Sequence, residues 1–271
     1  MIAAQIWLDN NIPANLRNGV TKLLILPSSQ RDRQEENDRL ISSVPRDTTF
    51  DYYLNEAAHE VLTGTLDLSD FTNLKSIRIE KQHINKLILT GCQHLETIEA
   101  NNNLLREIVL PWSTNCLERV YLTNNNFRVQ DLSCFANYTN LKTLFLGTDD
   151  ETRIGQGIYN RWDGSLGELS RLQHLEELDI NATDIDRGLE YLPTNHLFYF
   201  TFGNQGRVEA GVDCLKNVLE DFAELEAGET LEQWATNEDL DDNSFKVRDV
   251  QNYQTNQARL ALQNLIQVNN Q

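Results

Sequence analysis

The sequence predicts an α/β solenoid built on a parallel β-sheet, and three observations carry the prediction. First, residues 95–105 read LETIEANNNLL and residues 117–127 read LERVYLTNNNF, with apolar residues at the first, fourth, sixth and eleventh places of both blocks and Asn103 and Asn125 at the ninth. Second, related blocks recur as LKSIRIEKQHI from 74, LKTLFLGTDDE from 141, LEELDINATDI from 175 and LFYFTFGNQGR from 197. The six starts are separated by 21, 22, 24, 34 and 22 residues. Third, a hydrophobic content of 40% is low for a thick core but suits a repeat stack whose core is one side chain deep. The pattern LxxLxLxxNxL is the leucine-rich-repeat signature, in which a short strand feeds a tight turn.

Alternate side chains of a strand share a face, so the fourth and sixth places point into the core and the third, fifth and seventh point away from it. Stacked repeats then form the concave parallel sheet of a horseshoe. The ninth place falls where the chain turns, and an asparagine amide there satisfies backbone groups that the turn leaves unpaired. Asn103 and Asn125 fit that role, while Gln82, Asp149, Thr183 and Gln205 occupy the place in the other repeats.

Each element follows in order. Residues 1–19 are expected to form an N-terminal capping helix with Ala3, Ile6 and Trp7 at helical spacing, ended by Pro13. The solenoid is expected over 20–207. Its first half-repeat is VTKLLIL at 20–26, followed by an insertion at about 27–61. That insertion holds the charged run RDRQEENDR at 31–39 and an aromatic patch at Phe50, Tyr52 and Tyr53, and reads as a loop or short surface helix. LTGTLDLSDF at 62–71 looks like the convex half of the interrupted unit. The 34-residue step contains an extra segment between 149 and 166 with Arg153, Tyr159, Arg161 and Trp162. Arginines beside aromatic residues make a binding hot spot, or alternatively Ile158 and Trp162 tuck under the convex side as core. Residues 208–271 read as an acidic helical C-terminal cap. Val212, Leu215, Val218, Leu219 and Phe222 mark a helix over the last strand's open edge, and a second helix is expected from about 245 to 268.

The formal net charge is −18, from 41 acidic and 23 basic residues. Nucleic acid needs a clustered cationic surface and is excluded as the expected partner, whereas a basic protein surface is the natural complement. No segment approaches the length of a membrane span, and the start MIAAQIWLDNNIP lacks the features of a secretory signal, so a cytoplasmic protein is expected. The four cysteines, Cys92, Cys116, Cys134 and Cys214, form no CxxC pair, which points to reduced thiols rather than zinc. Cys214 is expected as a buried helix residue.

A search for catalysis finds no GxSxG, HExxH, glycine-rich phosphate loop or kinase elements, and no cofactor or metal site is expected. Binding residues are instead expected on the concave face: Arg78, Glu99, Asn101, Arg119, Tyr121, Thr123, Thr143, Phe145, Glu177, Asp179 and Tyr199. Tyr121 and Phe145 hold equivalent places on consecutive repeats and are the expected anchor, or else a cross-strand pair that stabilises the sheet.

The stretch NNNFRVQDLSCFANYTNLKTLFLGTDDETRIGQGIYNRWDGSL through LEELDINATDIDRGLEYLP, with the opening AQIWLDNNIPANLRNGVTKLLI and the phrase GTLDLSDFTNLK, resembles the leucine-rich-repeat proteins of arbuscular mycorrhizal fungi. The resemblance covers most of residues 4–193. It implies repeat-built interaction proteins and supplies no substrate or catalytic residue. The expected function is a non-catalytic scaffold holding a protein or peptide on the concave face. The alternative is a regulatory module that controls a separate enzyme, such as a kinase, through the acidic tail or the charged insertion.

Overall fold

The structure, a computed structural model, describes residues 1–27, 49–54, 61–193, 196–197, 199–215 and 244–248, with residues 49–54, 190 and 244–248 described by their backbone alone. The chain divides into two compact units, Met1–Asn126 and Phe127–Gln271. In both, the repeat pattern sets the core. Leu74, Ile77 and Ile79; Leu95, Ile98 and Ala100; Leu117, Val120 and Leu122; Leu141, Leu144 and Leu146; Leu175, Leu178 and Ile180; and Leu197, Phe200 and Phe202 are each at most 2% exposed. Burying one such large side chain stabilises the fold by about 1.5–3 kcal/mol, which is why these places are apolar in every repeat.

The first unit runs β1 (Ile2–Ala3), α1 (Ala4–Asn11), α2 (Ala14–Arg17), β2 (Lys22–Pro27), β3 (Thr49–Leu54), β4 (Leu62–Asp67), β5 (Ser76–Ile79), β6 (His83–Ile88), β7 (Thr97–Glu99), β8 (Glu107–Val109) and β9 (Arg119–Tyr121). One parallel sheet has the order β3-β2-β5-β7-β9, and a second has the order β1-β4-β6-β8. The repeats are in step, since Ser76 pairs with Thr97 and Thr97 with Arg119, all at the third place. The convex half-repeat expected at 62–71 is β4, a strand of the second sheet.

Two expectations for this unit are corrected. The helix begins at Ala4 because Ile2 and Ala3 pair with Leu62 and Thr63 of β4. Its buried face is therefore Ala4, Trp7 and Leu8, packed on β4, and Ile6 is 60% exposed. Arg17 anchors this end: its guanidinium donates to the Ile12 carbonyl at 2.9 Å and pairs with Asp9 at 2.6 Å and Asp70 at 3.3 Å. The second correction concerns Phe50, Tyr52 and Tyr53, which belong to a strand parallel to β2 rather than to a loop or surface helix. Thr, Phe and Tyr favour a pleated backbone, and the edge of β2 supplies the unpaired groups that recruit it. The charged run at 31–39 lies outside the described residues.

The second unit runs β10 (Thr143–Phe145), α3 (Glu151–Gly155), β11 (Asp163–Ser165), β12 (Glu177–Asp179), β13 (Asp184–Arg187), β14 (Tyr199–Gly203) and β15 (Ser244–Arg248). β10, β12 and β14 are parallel, while β15 adds antiparallel to β14 and β11 pairs separately with β13. β15 corrects the helix expected from 245. Phe245 and Val247 alternate with Lys246 and Arg248, a period of two rather than 3.6, and the strand closes the β14 edge that a helix was expected to cover. Residues 212–215 are helical with Val212 and Leu215 buried, but Cys214 is exposed there rather than buried. Val218, Leu219 and Phe222 lie outside the described residues, as do 249–271.

The asparagine ladder forms. Asn103 Nδ2 donates to the carbonyls of Ile79, Ala100 and Asn101 at 2.8–3.1 Å. Asn125 donates to Ala100 and Leu122, both at 2.9 Å, and accepts from Leu105 N at 3.0 Å. Gln82 accepts from Leu62 N at 3.0 Å, and Thr183 Oγ1 donates to the Ile180 carbonyl at 2.7 Å. In the long repeat, however, the exposed Asp149 does not take the role. Asn160 takes it, donating to Leu146 O at 2.8 Å and accepting from Phe127 N at 3.3 Å. Two residues on, Trp162 occupies the core place that Leu105 and Phe127 hold after their own asparagines. The extra residues thus leave the coil before the ninth place and return to it at Asn160. The residue just before the ladder position is left-handed in four repeats, at Lys81, Asn102, Asn124 and Ala182, with φ of 54–57°.

Candidate functional site

The third, fifth and seventh places form one polar strand face in each unit, but their exposure is uneven. Thr97, Thr143, Asp179, Asn181 and Thr201 are buried, at 8, 5, 7, 7 and 1% exposure. This corrects the expectation that every such position faces solvent. Strands about 4.8 Å apart leave short side chains in the shadow of longer neighbours.

In the first unit the charged groups on this face neutralise one another. Arg78 Nε lies 2.7 Å from Glu80 Oε1 and 3.1 Å from Glu99 Oε2. Burial raises the Glu99 carboxyl above its ordinary value, and Glu80 pushes the same way, against Arg78, Lys22 and Arg119. Arg119 donates to Thr97 Oγ1 at 3.3 Å and to Glu118 at 3.2 Å. Asn101 Oδ1 accepts from Thr123 N at 2.8 Å, so the pair of predicted contacts Asn101 and Thr123 also braces the sheet. Tyr121 is half-buried on β9.

In the second unit the face is acidic and aromatic. Register aligns Thr143, Glu177 and Tyr199 in one row and Phe145, Asp179 and Thr201 in the next. Phe145 and Tyr199 come from strands on either side of β12, yet their ring centroids are only 5.9 Å apart, so the rings lean toward each other across β12. Beneath them Asp179 Oδ1 accepts from Asn181 N at 2.9 Å and Thr201 Oγ1 at 3.2 Å. Burial pushes the Asp179 carboxyl up to about 6; Asp149 adds to the rise, while the bonds from Asn181 and Thr201 oppose it. Gly147 makes room for this arrangement, since a Cβ there would stand 2.5 Å from Asp179 Oδ1 and 2.7 Å from Asn181 N. Glu177 is half-buried and accepts from Thr143 Oγ1 at 3.4 Å.

The secondary patch divides. Trp162 is fully buried against Phe127 and Phe135, at centroid distances of 4.8 and 5.4 Å, and is core rather than patch. Arg153 lies half-buried on α3, which Asp150 caps by accepting from Arg153 N at 3.0 Å. Tyr159 is stacked between two guanidiniums, Arg161 at 4.2 Å and Arg207 at 4.1 Å. Arg207, which pattern reading missed, also pairs with Asp184 and donates to Ala182 O at 2.8 Å. A single arginine in a turn carries no periodic signal. Trp112, 80% exposed after β8 in the first unit, was missed likewise because it stands outside the repeat framework.

Among the described residues no group of three or more His, Cys, Asp or Glu side chains is placed to hold a metal ion, and no helix is long and apolar enough to cross a membrane. Cys92 is fully buried, its thiol pushed up to about 12 by burial and by Asp67, which leaves it far from a nucleophile. No family model and no characterised protein matches the chain. Among solved structures it is similar to the LRIM1 leucine-rich repeat domain, with a TM-score of 0.31 and 14% identity over 59% of this chain and 63% of that one, so it spans less than two thirds of that domain. The leucine-rich-repeat-like architecture rests on the strand register and the asparagine ladder themselves.

Proposed function

We propose that the chain is a non-catalytic interaction scaffold that holds a protein or peptide segment on the polar strand faces of its repeats. The observation that carries the reading is the half-buried Phe145–Tyr199 ring pair on a parallel sheet, flanked by Glu177. Aromatic groups fixed on a scaffold give large contact area at low entropic cost, which is what binding anchors use. Arg78, Glu99, Arg119 and Tyr121 form the corresponding face of the first unit, and Tyr159 with Arg161 offers a secondary patch. The test is affinity capture from a lysate of the source cell with quantitative identification of bound proteins. Phe145→Ala/Tyr199→Ala should lower capture of specific partners at least tenfold with an unchanged far-ultraviolet circular dichroism spectrum. Capture that survives the double change defeats the strand-face reading in this unit. The second reading, control of a separate enzyme through the tail, is favoured by 13 acidic against 4 basic residues over 208–271 and would be supported if the tail were needed to retain an enzyme.

A further inference from the structure

The two strand faces differ in how their carboxylates are balanced. In the first unit Glu80 and Glu99 share Arg78, and Glu118 pairs with Arg119. In the second unit neither Glu177 nor Asp179 forms an ion pair among the described residues; their bonds come from Thr143, Asn181 and Thr201. A third acceptor stands with them: Asn181, 7% exposed, turns its Nδ2 to Thr201 Oγ1 at 3.3 Å and leaves its buried Oδ1 without a donor. Three acceptors therefore follow one another at alternate residues along β12 and just past its end, and among the described residues no cation pairs with them. Buried acceptors left without donors are costly, and a carboxylate loses most when its counter-charge is missing. The rings of Phe145 and Tyr199 border the same strand and offer an aromatic surface suited to the alkyl stem and charged head of a basic side chain. The β15 backbone pairs Lys246 with Thr201 and Arg248 with Tyr199.

We propose that the β10-β12-β14 face is a cation-selective docking surface, taking a lysine or arginine side chain of an extended basic protein segment against the Phe145–Tyr199 rings, with its charge at Glu177 and toward Asp179 and Asn181. The inference rests on the scaffold reading and names its partner chemistry. A charged head with several N–H donors brings a counter-charge to two carboxylates that have none among the described residues and a donor to the Asn181 amide oxygen, and a neutral or acidic segment does not.

The experiment uses the full chain and fluorescein-labelled synthetic peptides: one with lysine at alternate positions, one of the same length built from Gly and Ser, and one with glutamate at the alternate positions, followed by anisotropy at 150 mM salt. The lysine peptide is expected to bind and the other two not. Glu177→Gln/Asp179→Asn should weaken binding at least tenfold, and Phe145→Ala/Tyr199→Ala to a similar degree, while the control Glu96→Gln/Glu118→Gln, which removes the same charge from the first unit, changes it less than twofold. Equal losses in the two charge variants would mean that general attraction to an acidic protein explains the binding, and would overturn the proposal. The half-buried single change Glu177→Gln keeps the test valid if the double variant melts early. In lysate capture, partners lost with Phe145→Ala/Tyr199→Ala but kept by Glu177→Gln/Asp179→Asn would preserve the scaffold reading and overturn the cation-selective one; partners kept by both would overturn both.

Discussion

A carboxylate in the position of Asp179 is poorly solvated when ionised, and burial accordingly carries its titration from the ordinary 3.8 up to about 6. The sign of the linkage follows. Between these values the folded chain keeps a proton that the unfolded chain has released, so the stability this group contributes at low pH is lost as pH rises through about 6. Asp179→Asn keeps the acceptor for Asn181 N and Thr201 Oγ1 but removes the charge. Urea unfolding should show the variant more stable than the parent by on the order of 3 kcal/mol at pH 8, with a smaller gap at pH 5. A gap that does not change with pH would remove ionisation of Asp179 as its cause. On the same strand Glu177 is half-buried, and in the proposed reading it meets the ligand, whereas Asp179 is buried.

At the scale of elements, the long repeat shows how the chain absorbs additional sequence. The ninth-place asparagine and the eleventh-place core residue reappear as Asn160 and Trp162 after α3 has left the coil. Trp162→Ala should therefore act as a core truncation and lower stability by about 3–5 kcal/mol in urea unfolding. Arg161→Ala, next to it but half-exposed, should cost less than about 1 kcal/mol. Comparable losses would mean that the insert is built around its arginines. The contrast also explains what was legible in the sequence. Asn103 and Asn125 announce the ladder because leucines frame them at fixed distance, whereas Asn160 sits eleven residues late and Asp149 occupies its place in the count. Edge strands were illegible for a different reason. β3 and β15 carry no repeat framework and depend on a neighbour's unpaired backbone, and composition placed the first in a charged insertion and the second in a tail read as helical. On the candidate face, residue types and rows were legible, but the burial of Thr143 and Asp179 was not, since shadowing depends on which long side chains lean over them.

For the molecule as a whole, the governing quantity is charge. A formal net charge of −18 opposes self-association at neutral pH, and the sequence-derived isoelectric point is about 4.6. Light scattering across pH 4–8 should find least solubility near pH 4.6, with recovery at pH 7; a minimum near neutrality would mean that apolar surface, including the exposed Trp112, governs association. The return of the chain at Asn160 has one more consequence. Because the backbone re-enters the stack on the same pair of cues, an amide ladder residue and a bulky residue two places on, the segment that precedes Asn160 is a splice point. Polar foreign sequence placed between Thr148 and Ile158, with Tyr159 through Trp162 retained, should leave thermal melting within a few degrees of the parent.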